Sequence, residues 1–229
     1  MIPLTIRGVE KTFVLHVQGG ARLPVLQGVS LAVGERECVV LADPSGSGKS
    51  TLLRSVYGNY KPQAGEILVR HAGEVVDMVS ASPRVVLDVR RRTVGYVSQF
   101  LRVIPRVPVV DVVSEPLRAQ GMDREEARRR ARAMLDRLRI PERLWPLSPV
   151  TFSGGEQQRV NIARVFVAQY PVLLLDEPTA ALDAEARMVV LELIEEARTQ
   201  GAAVLATVHD PLSRARIATR TSTLEEMAA

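Results

Sequence analysis

Three short runs in this chain have residue types and spacings that can do chemistry on a polyphosphate. Asp43-Pro44-Ser45-Gly46-Ser47-Gly48-Lys49-Ser50-Thr51 joins small residues, two glycines and a lysine, the make-up of a loop whose backbone N–H groups cradle phosphates. In such a loop, residues 45–51 face the β- and γ-phosphates of ATP with Lys49, and the Ser50 hydroxyl binds Mg²⁺. Asp176 and Glu177 follow the apolar run Val172-Leu173-Leu174-Leu175. Asp176 is placed to hold Mg²⁺ through water, and Glu177 to accept the proton of an attacking water. Taken alone, they read as two acids in a strand-to-helix turn. His209 closes the run Ala203–Val208; by itself, a histidine at a strand end is usually structural.

A fourth run, Ser153-Gly154-Gly155-Glu156-Gln157, has two readings. One is a helix start, with Ser153 as N-cap and Glu156 bonding back to it. A capping box needs no glycines, however, and two at the first helical positions weaken the helix by about 1 kcal/mol each. The other reading uses them: bare N–H groups at the positive end of a helix dipole let a phosphate come close.

Position 43 departs from the loop pattern G-x-x-x-x-G-K-[ST], which wants glycine where this chain has aspartate. A Cβ then sits where the loop turns out of its strand, and a carboxylate is brought towards the phosphates. At ~6 Å from one phosphate charge and an effective dielectric of ~20, repulsion is ~3 kcal/mol, about a hundredfold in affinity. Turning the side chain away shrinks that penalty. The expectation is weakened, not abolished, ATP binding.

These runs need elements to hold them. Residues 2–42 read as β-rich, with Gly19-Gly20 as a hairpin turn. An apolar strand at 37–42 feeds the glycine-rich loop, and a helix follows at about 49–57. Further strands are expected at 66–70, 75–79 and 93–98. From about 108 to 148 the pattern is helical, with Ala127, Ala131, Met134, Leu135 and Leu138 on one stripe. Beyond 153, helix alternates with strands at 171–176 and 202–208, which implies a parallel sheet covered by helices. The fold class is therefore α/β.

Composition narrows the functions. With 229 residues, 46% apolar and 24% charged, the chain can bury a core and is not disordered. Aromatics make up only 4%, which argues against stacking platforms for single-stranded nucleic acid. The net charge of +4 is modest, and the arginines at 128, 129, 130, 132 and 137 read as a solvated helix face, so no nucleic-acid partner is expected. Cys38, the only cysteine, lies in an apolar run and reads as a buried thiol. The start of the chain lacks the features of a signal peptide, and no window reaches roughly 18 apolar residues. A cytoplasmic protein with no direct membrane insertion is expected.

In order and spacing, the loop, Ser153–Gln157 and Leu173–Glu177 resemble the motifs of ATP-binding-cassette (ABC) ATPases. The resemblance implies a P-loop nucleotide-binding domain with an antiparallel β subdomain and an inserted helical subdomain. The implied layout is 2–107 for the β subdomain and loop core, 108–152 for the helical subdomain, and 153–229 for the rest of the core. It also implies that Ser153, Gly154 and Gly155 bind the nucleotide held by a second ABC subunit, in a homodimer or mixed dimer. Asp183, in Pro178–Asp183, falls in the loop that communicates between subunits. His209 resembles the switch histidine that contacts the γ-phosphate, and Gln99 the glutamine linking Mg²⁺ to the helical subdomain. Phe13 stands in the place of the aromatic that stacks on adenine; a core phenylalanine is the alternative.

Stretches outside the nucleotide motifs narrow the resemblance further. Ser98–Arg106, Pro141–Trp145 and Thr151–Arg164, with Phe13–His16 and Arg22–Leu26, resemble the L subunits of bacterial phosphonate C–P lyase systems. That implies a soluble phosphonate-converting core complex as partner. The rival is an ATPase subunit of an ABC transporter of the lipoprotein-releasing type, which would dock its partner through Phe100–Pro105. A third reading is a nucleotide-responsive scaffold slowed by Asp43. With an intact signature and an altered loop, the chain is expected to complete a partner's ATP site better than it runs its own.

Overall fold

The computed structural model describes residues 1–15, 19–99, 101 and 105–228. The chain opens with β1 (Leu4–Leu15), β2 (Ala21–Val33), β3 (Cys38–Leu41) and α1 (Lys49–Val56). It continues through β4 (Ala64–His71), β5 (Glu74–Asp77), α2 (Pro83–Arg92) and β6 (Val94–Val97). Helices α3 (Val109–Ala119), α4 (Arg124–Arg137) and α5 (Gly154–Phe166) follow, then β7 (Val172–Asp176), α6 (Ala184–Thr199) and β8 (Ala203–Thr207). The last elements are α7 (Pro211–Ile217), β9 (Arg220–Ser222) and α8 (Leu224–Met227).

Strand periodicity explains the layering. A five-stranded sheet runs β6-β7-β8-β3-β9, with every neighbour pair parallel. Because side chains alternate, each central strand buries both faces. Cys38, Val40, Leu173, Leu175, Val204 and Ala206 join the core under α3 to α6. Val39, Leu41, Val172, Leu174, Ala203 and Leu205 join a second core with α1 and the other sheet. That other sheet is antiparallel, in the order β2-β1-β4-β5. Gly19 and Gly20, with φ of 66° and 79°, turn β1 into β2, as their left-handed conformation allows.

Helix α4 follows its sequence pattern. Asp123 caps it by accepting the N–H groups of Glu125 and Glu126, and Ala127, Ala131, Leu135 and Leu138 are fully buried, while Met134 is half-buried. The arginines cover the outside in ion pairs: Arg128 with Asp111 at 2.8 Å, Arg129 and Arg130 with Glu126 at 2.7 and 2.8 Å. Two features lack a periodic signal. Helix α2 buries Val89 alone and leaves Leu87 58% exposed. At the C-terminal end, β9 pairs with β3 and α8 buries Leu224 and Met227 against β2 and the second core.

Among the described residues, no helix is long and apolar enough to cross a membrane. Burial pushes the Cys38 thiol up to about 12, so it stays protonated. Phe100, Arg102, Val103 and Ile104, most of the expected docking stretch, and His16 lie outside the described residues.

Candidate functional site

The parallel sheet gathers the candidate residues at one edge. The loop leaves the carboxyl end of β3, Asp176 ends β7, Thr207 ends β8 and Ser98-Gln99 follow β6. In open α/β sheets this is the edge where ligands bind. The backbone of the loop turns through Gly46 (φ 84°) and Gly48 (φ 111°). A Cβ on Gly48 would lie 2.8 Å from Val25 Cγ1. Gly48 caps α1 without any side-chain hydrogen bond, leaving the first N–H groups of the helix for an anion.

Lys49 is 6% exposed, and its ammonium donates to the carbonyl oxygens of Asp43 and Pro44, both at 2.6 Å. Those are uncharged acceptors, so an incoming phosphate offers the stronger partner. Ser47 Oγ is buried with no partner, a polar atom left for a ligand. Ser45 and Gly46 are exposed, and Thr51 is half-buried on α1.

Asp43 does not point at the phosphates' place. Its carboxylate accepts the backbone N–H of Leu224, at 2.9 Å from Oδ1 and 3.1 Å from Oδ2. The side chain thus takes the outward course that shrinks the expected penalty. It also weakens the physical basis for expecting the chain to serve a partner's site better than its own.

Asp176 is 1% exposed and accepts three hydroxyl donors. These are Ser50 at 2.8 Å, Tyr96 at 3.1 Å and Thr207 at 3.2 Å. Burial, and then the Asp176 charge, hold the Tyr96 phenol well above its usual range, so it remains a donor. Glu177 has φ 51°, a costly conformation for a residue with a side chain. Its N–H reaches both the hydroxyl of Thr207, at 2.9 Å, and its carbonyl, at 3.2 Å. The Glu177 carboxylate meets His209 Nε2 at 2.8 Å. Glu177 is 23% exposed and His209 45%, so the pair is open to solvent, and the carboxylate can accept a proton from a water.

The donor set suits Mg²⁺. Among the described residues, no group of three or more His, Cys, Asp or Glu could hold a metal. Ser50 and Asp176, already in contact, instead provide two oxygens. Mg²⁺ characteristically takes one or two protein oxygens, with waters and phosphates completing its shell.

The helix-start reading of Ser153–Gln157 holds, and it leaves Ser153 and Gly154 open to solvent. Ser153 and Glu156 form the full capping box, with the Glu156 carboxylate 2.9 Å from Ser153 N. Ser153 and Gly154 are exposed, and nothing lies within 4 Å of a Cβ on Gly154. A Cβ on Gly155 would meet the Ala181 carbonyl at 3.1 Å. Ser153 bonds with Glu156 through its N–H and hydroxyl, and its carbonyl accepts Gln157 N–H at 2.9 Å; among the described residues, none of these bonds reaches residues 43–51 of the same chain. Asp183 caps α6 by accepting Ala186 N–H at 2.8 Å.

Gln99 is exposed. Phe13 is half-buried, not a core residue; its ring meets Tyr60 edge-on at 5.3 Å, with Lys11 Nζ 5.2 Å from its centre.

Several contributors carry no motif. Thr207 and Tyr96 hold Asp176 and Glu177, but their roles depend on strand register: Asp176 pairs with Thr207, and Tyr96 lies on the adjoining strand. Asn161 of α5 donates to Ser98 O at 2.6 Å, next to Gln99, and Gln158 to Pro178 O at 3.3 Å, next to Glu177. The helix that starts at Ser153 is therefore tied to both neighbouring segments.

Residues 26–180 match the family model described as ABC transporter. The chain is 41% identical over 213 residues to the lipoprotein-releasing system ATP-binding protein LolD 2 of Caulobacter vibrioides, covering 92% of this chain and 90% of that protein. It is 36% identical over 208 residues to the lipoprotein-releasing system ATP-binding protein LolD of Hyphomonas neptunium, covering 90% and 88%. The dimeric structure of MJ0796, a bacterial ABC transporter cassette, superposes with a TM-score of 0.84 at 30% identity, over 93% of this chain and 90% of that one. A dimeric post-hydrolysis state of the same cassette, bound to ADP and Pi, superposes with a TM-score of 0.82 at 31% identity, over 92% and 89%. None of these relatives carries a phosphonate description, so the expected phosphonate assignment finds no support among them.

Proposed function

The chain belongs to the ABC transporter family of ATP-binding subunits, and on that premise we propose that it hydrolyses ATP as half of a pair of identical chains and passes the work to a transport partner. The observation that carries the hydrolytic reading is the continuous link Ser50–Asp176–Thr207–Glu177–His209 beside the phosphate loop.

ATP binds along residues 45–51, and Lys49 exchanges the Asp43 and Pro44 carbonyls for phosphate oxygens. Ser50 would hold Mg²⁺ directly and Asp176 through water, and the bound ion would supply positive charge against the β- and γ-phosphates. Glu177, fixed by Thr207 through its N–H and by His209 through its carboxylate, accepts the proton of the attacking water. His209 then stands beside the γ-phosphate. The Ser153–Gly155 segment of the second chain, exposed at Ser153 and Gly154, covers the nucleotide. Asp183 lies at that junction, Phe13 flanks the base, and Gln99 relays the change through Ser98 and Asn161.

Replacing Glu177 with Gln tests the base. Single-turnover hydrolysis is expected to fall by ~10²–10⁴ while ATP stays bound. Unchanged hydrolysis would refute the assignment.

For the partner, relatives named for lipoprotein release, aligned over about nine-tenths of both chains, support a membrane-embedded release system. A second reading is the soluble phosphonate machinery, favoured by the similarity of Ser98–Arg106, Pro141–Trp145 and Thr151–Arg164 to its L subunits. Affinity purification of the tagged chain from its own cells separates them. A membrane protein retained with the chain supports the first, and a soluble enzyme complex in a detergent-free extract supports the second.

A further inference from the structure

We propose that the C-terminal turn keeps the phosphate loop competent for ATP: the Leu224 amide parks the Asp43 carboxylate away from the nucleotide, so that affinity depends on residues 223–227. This rests on residues 45–51 being the ATP site.

Residue 43 is fixed twice. Its carbonyl oxygen accepts from Lys49 and its carboxylate from Leu224 N–H, 181 residues further along the chain. When Lys49 turns to the phosphates, the first restraint is lost and the second remains. Without it, the carboxylate is free to swing towards Lys49, competing with the phosphates for that ammonium while repelling them. Among the described residues, Asp43 makes no ion pair.

The turn is built to hold its place. Ser222 pairs with Leu41, the last residue of β3, and its carbonyl accepts Ala42 N–H at 3.0 Å. Thr223 and Glu226 close a capping box around the start of α8. That box serves the amides of Thr223 and Glu226, leaving the Leu224 amide to Asp43. Leu224 is 8% exposed and Met227 5%, and a Cβ on Gly48 would come within 3.4 Å of Leu224 Cδ1. Ala228 bridges back to Val29. A glycine at position 43 would need none of this.

The test uses the full-length chain and MgADP titrations. Leu224→Pro removes the amide donor while suiting the first position of a helix; Leu224→Ala shortens the side chain and keeps the donor. With the carboxylate moving from about 10 Å to about 6 Å from a phosphate charge at an effective dielectric of about 20, Leu224→Pro is expected to bind roughly sixfold more weakly. Leu224→Ala is expected to stay near the unaltered chain, and Asp43→Asn in the Leu224→Pro background to restore affinity. Unchanged affinity in Leu224→Pro, or a double variant as weak as the single, overturns the proposal, the latter by tracing the loss to tail packing. An unaltered chain that binds no MgADP overturns the ATP site itself.

Should Leu224→Pro not fold, hydrogen exchange decides. Asp43→Ala is expected to speed exchange of the Leu224 amide, and unchanged protection overturns the proposal.

Discussion

At the scale of single residues, the site depends on hydroxyls as much as on acids. Thr207 donates to Asp176 and accepts from Glu177 N–H, so one oxygen sets the relative positions of the two acids. Thr207→Val keeps the shape and removes both bonds. We expect kcat to fall roughly tenfold to a hundredfold through misplacement of Glu177, with ATP affinity changed little. Thr207→Ser should restore much of it. Calorimetry and steady-state kinetics on the three chains check this; a loss of affinity with kcat intact would assign Thr207 to binding instead. Glu177 needs such support because its backbone sits at φ 51°. Asp43 teaches a related lesson: a charge that looks aimed at the phosphates in the sequence is held by the Leu224 amide, a partner beyond the reach of any local pattern.

At the scale of elements, legibility followed periodicity. The strands at 37–42, 171–176 and 202–208 were readable because fully buried parallel strands are unbroken apolar runs, and they emerge as β3, β7 and β8. Helix α4 was readable because its cap and stripe agree. Helix α2 was not, since it buries Val89 alone and exposes Leu87. Strand β9, three residues long, is too short for any period. The motif residues were legible by type, but Tyr96, Thr207, Asn161 and Leu224 act through strand register or long-range contact.

The antiparallel sheet gives a sharper test of element packing. A Cβ on Gly65 would lie 2.4 Å from Gly8 O and 2.6 Å from Arg7 O, at φ +87°. Gly65→Ala is therefore expected to destabilise the chain by about 2–4 kcal/mol. Gly73, at φ +89° with nothing within 4 Å, should cost only about 1 kcal/mol as Ala. Denaturant unfolding of both variants reads the difference, and equal losses would mean backbone conformation alone matters.

For the whole molecule, the proposed central feature is that one chain carries two incomplete halves of a site. The loop, Asp176, Glu177 and His209 sit together at the sheet edge, while Ser153 and Gly154 face solvent and Gly155 is half-buried at the start of α5. Both MJ0796 structures similar to this chain are dimers, and pairing would let each chain's exposed segment complete the other's loop. The most direct test mixes two variants. Lys49→Ala spoils the loop and keeps the signature; Ser153→Arg does the opposite. Each alone should hydrolyse little ATP, and mixing them should restore hydrolysis by creating one intact composite site per mixed pair. A mixture as inactive as its components, where the unaltered chain hydrolyses ATP, would contradict a site shared between two copies of this chain.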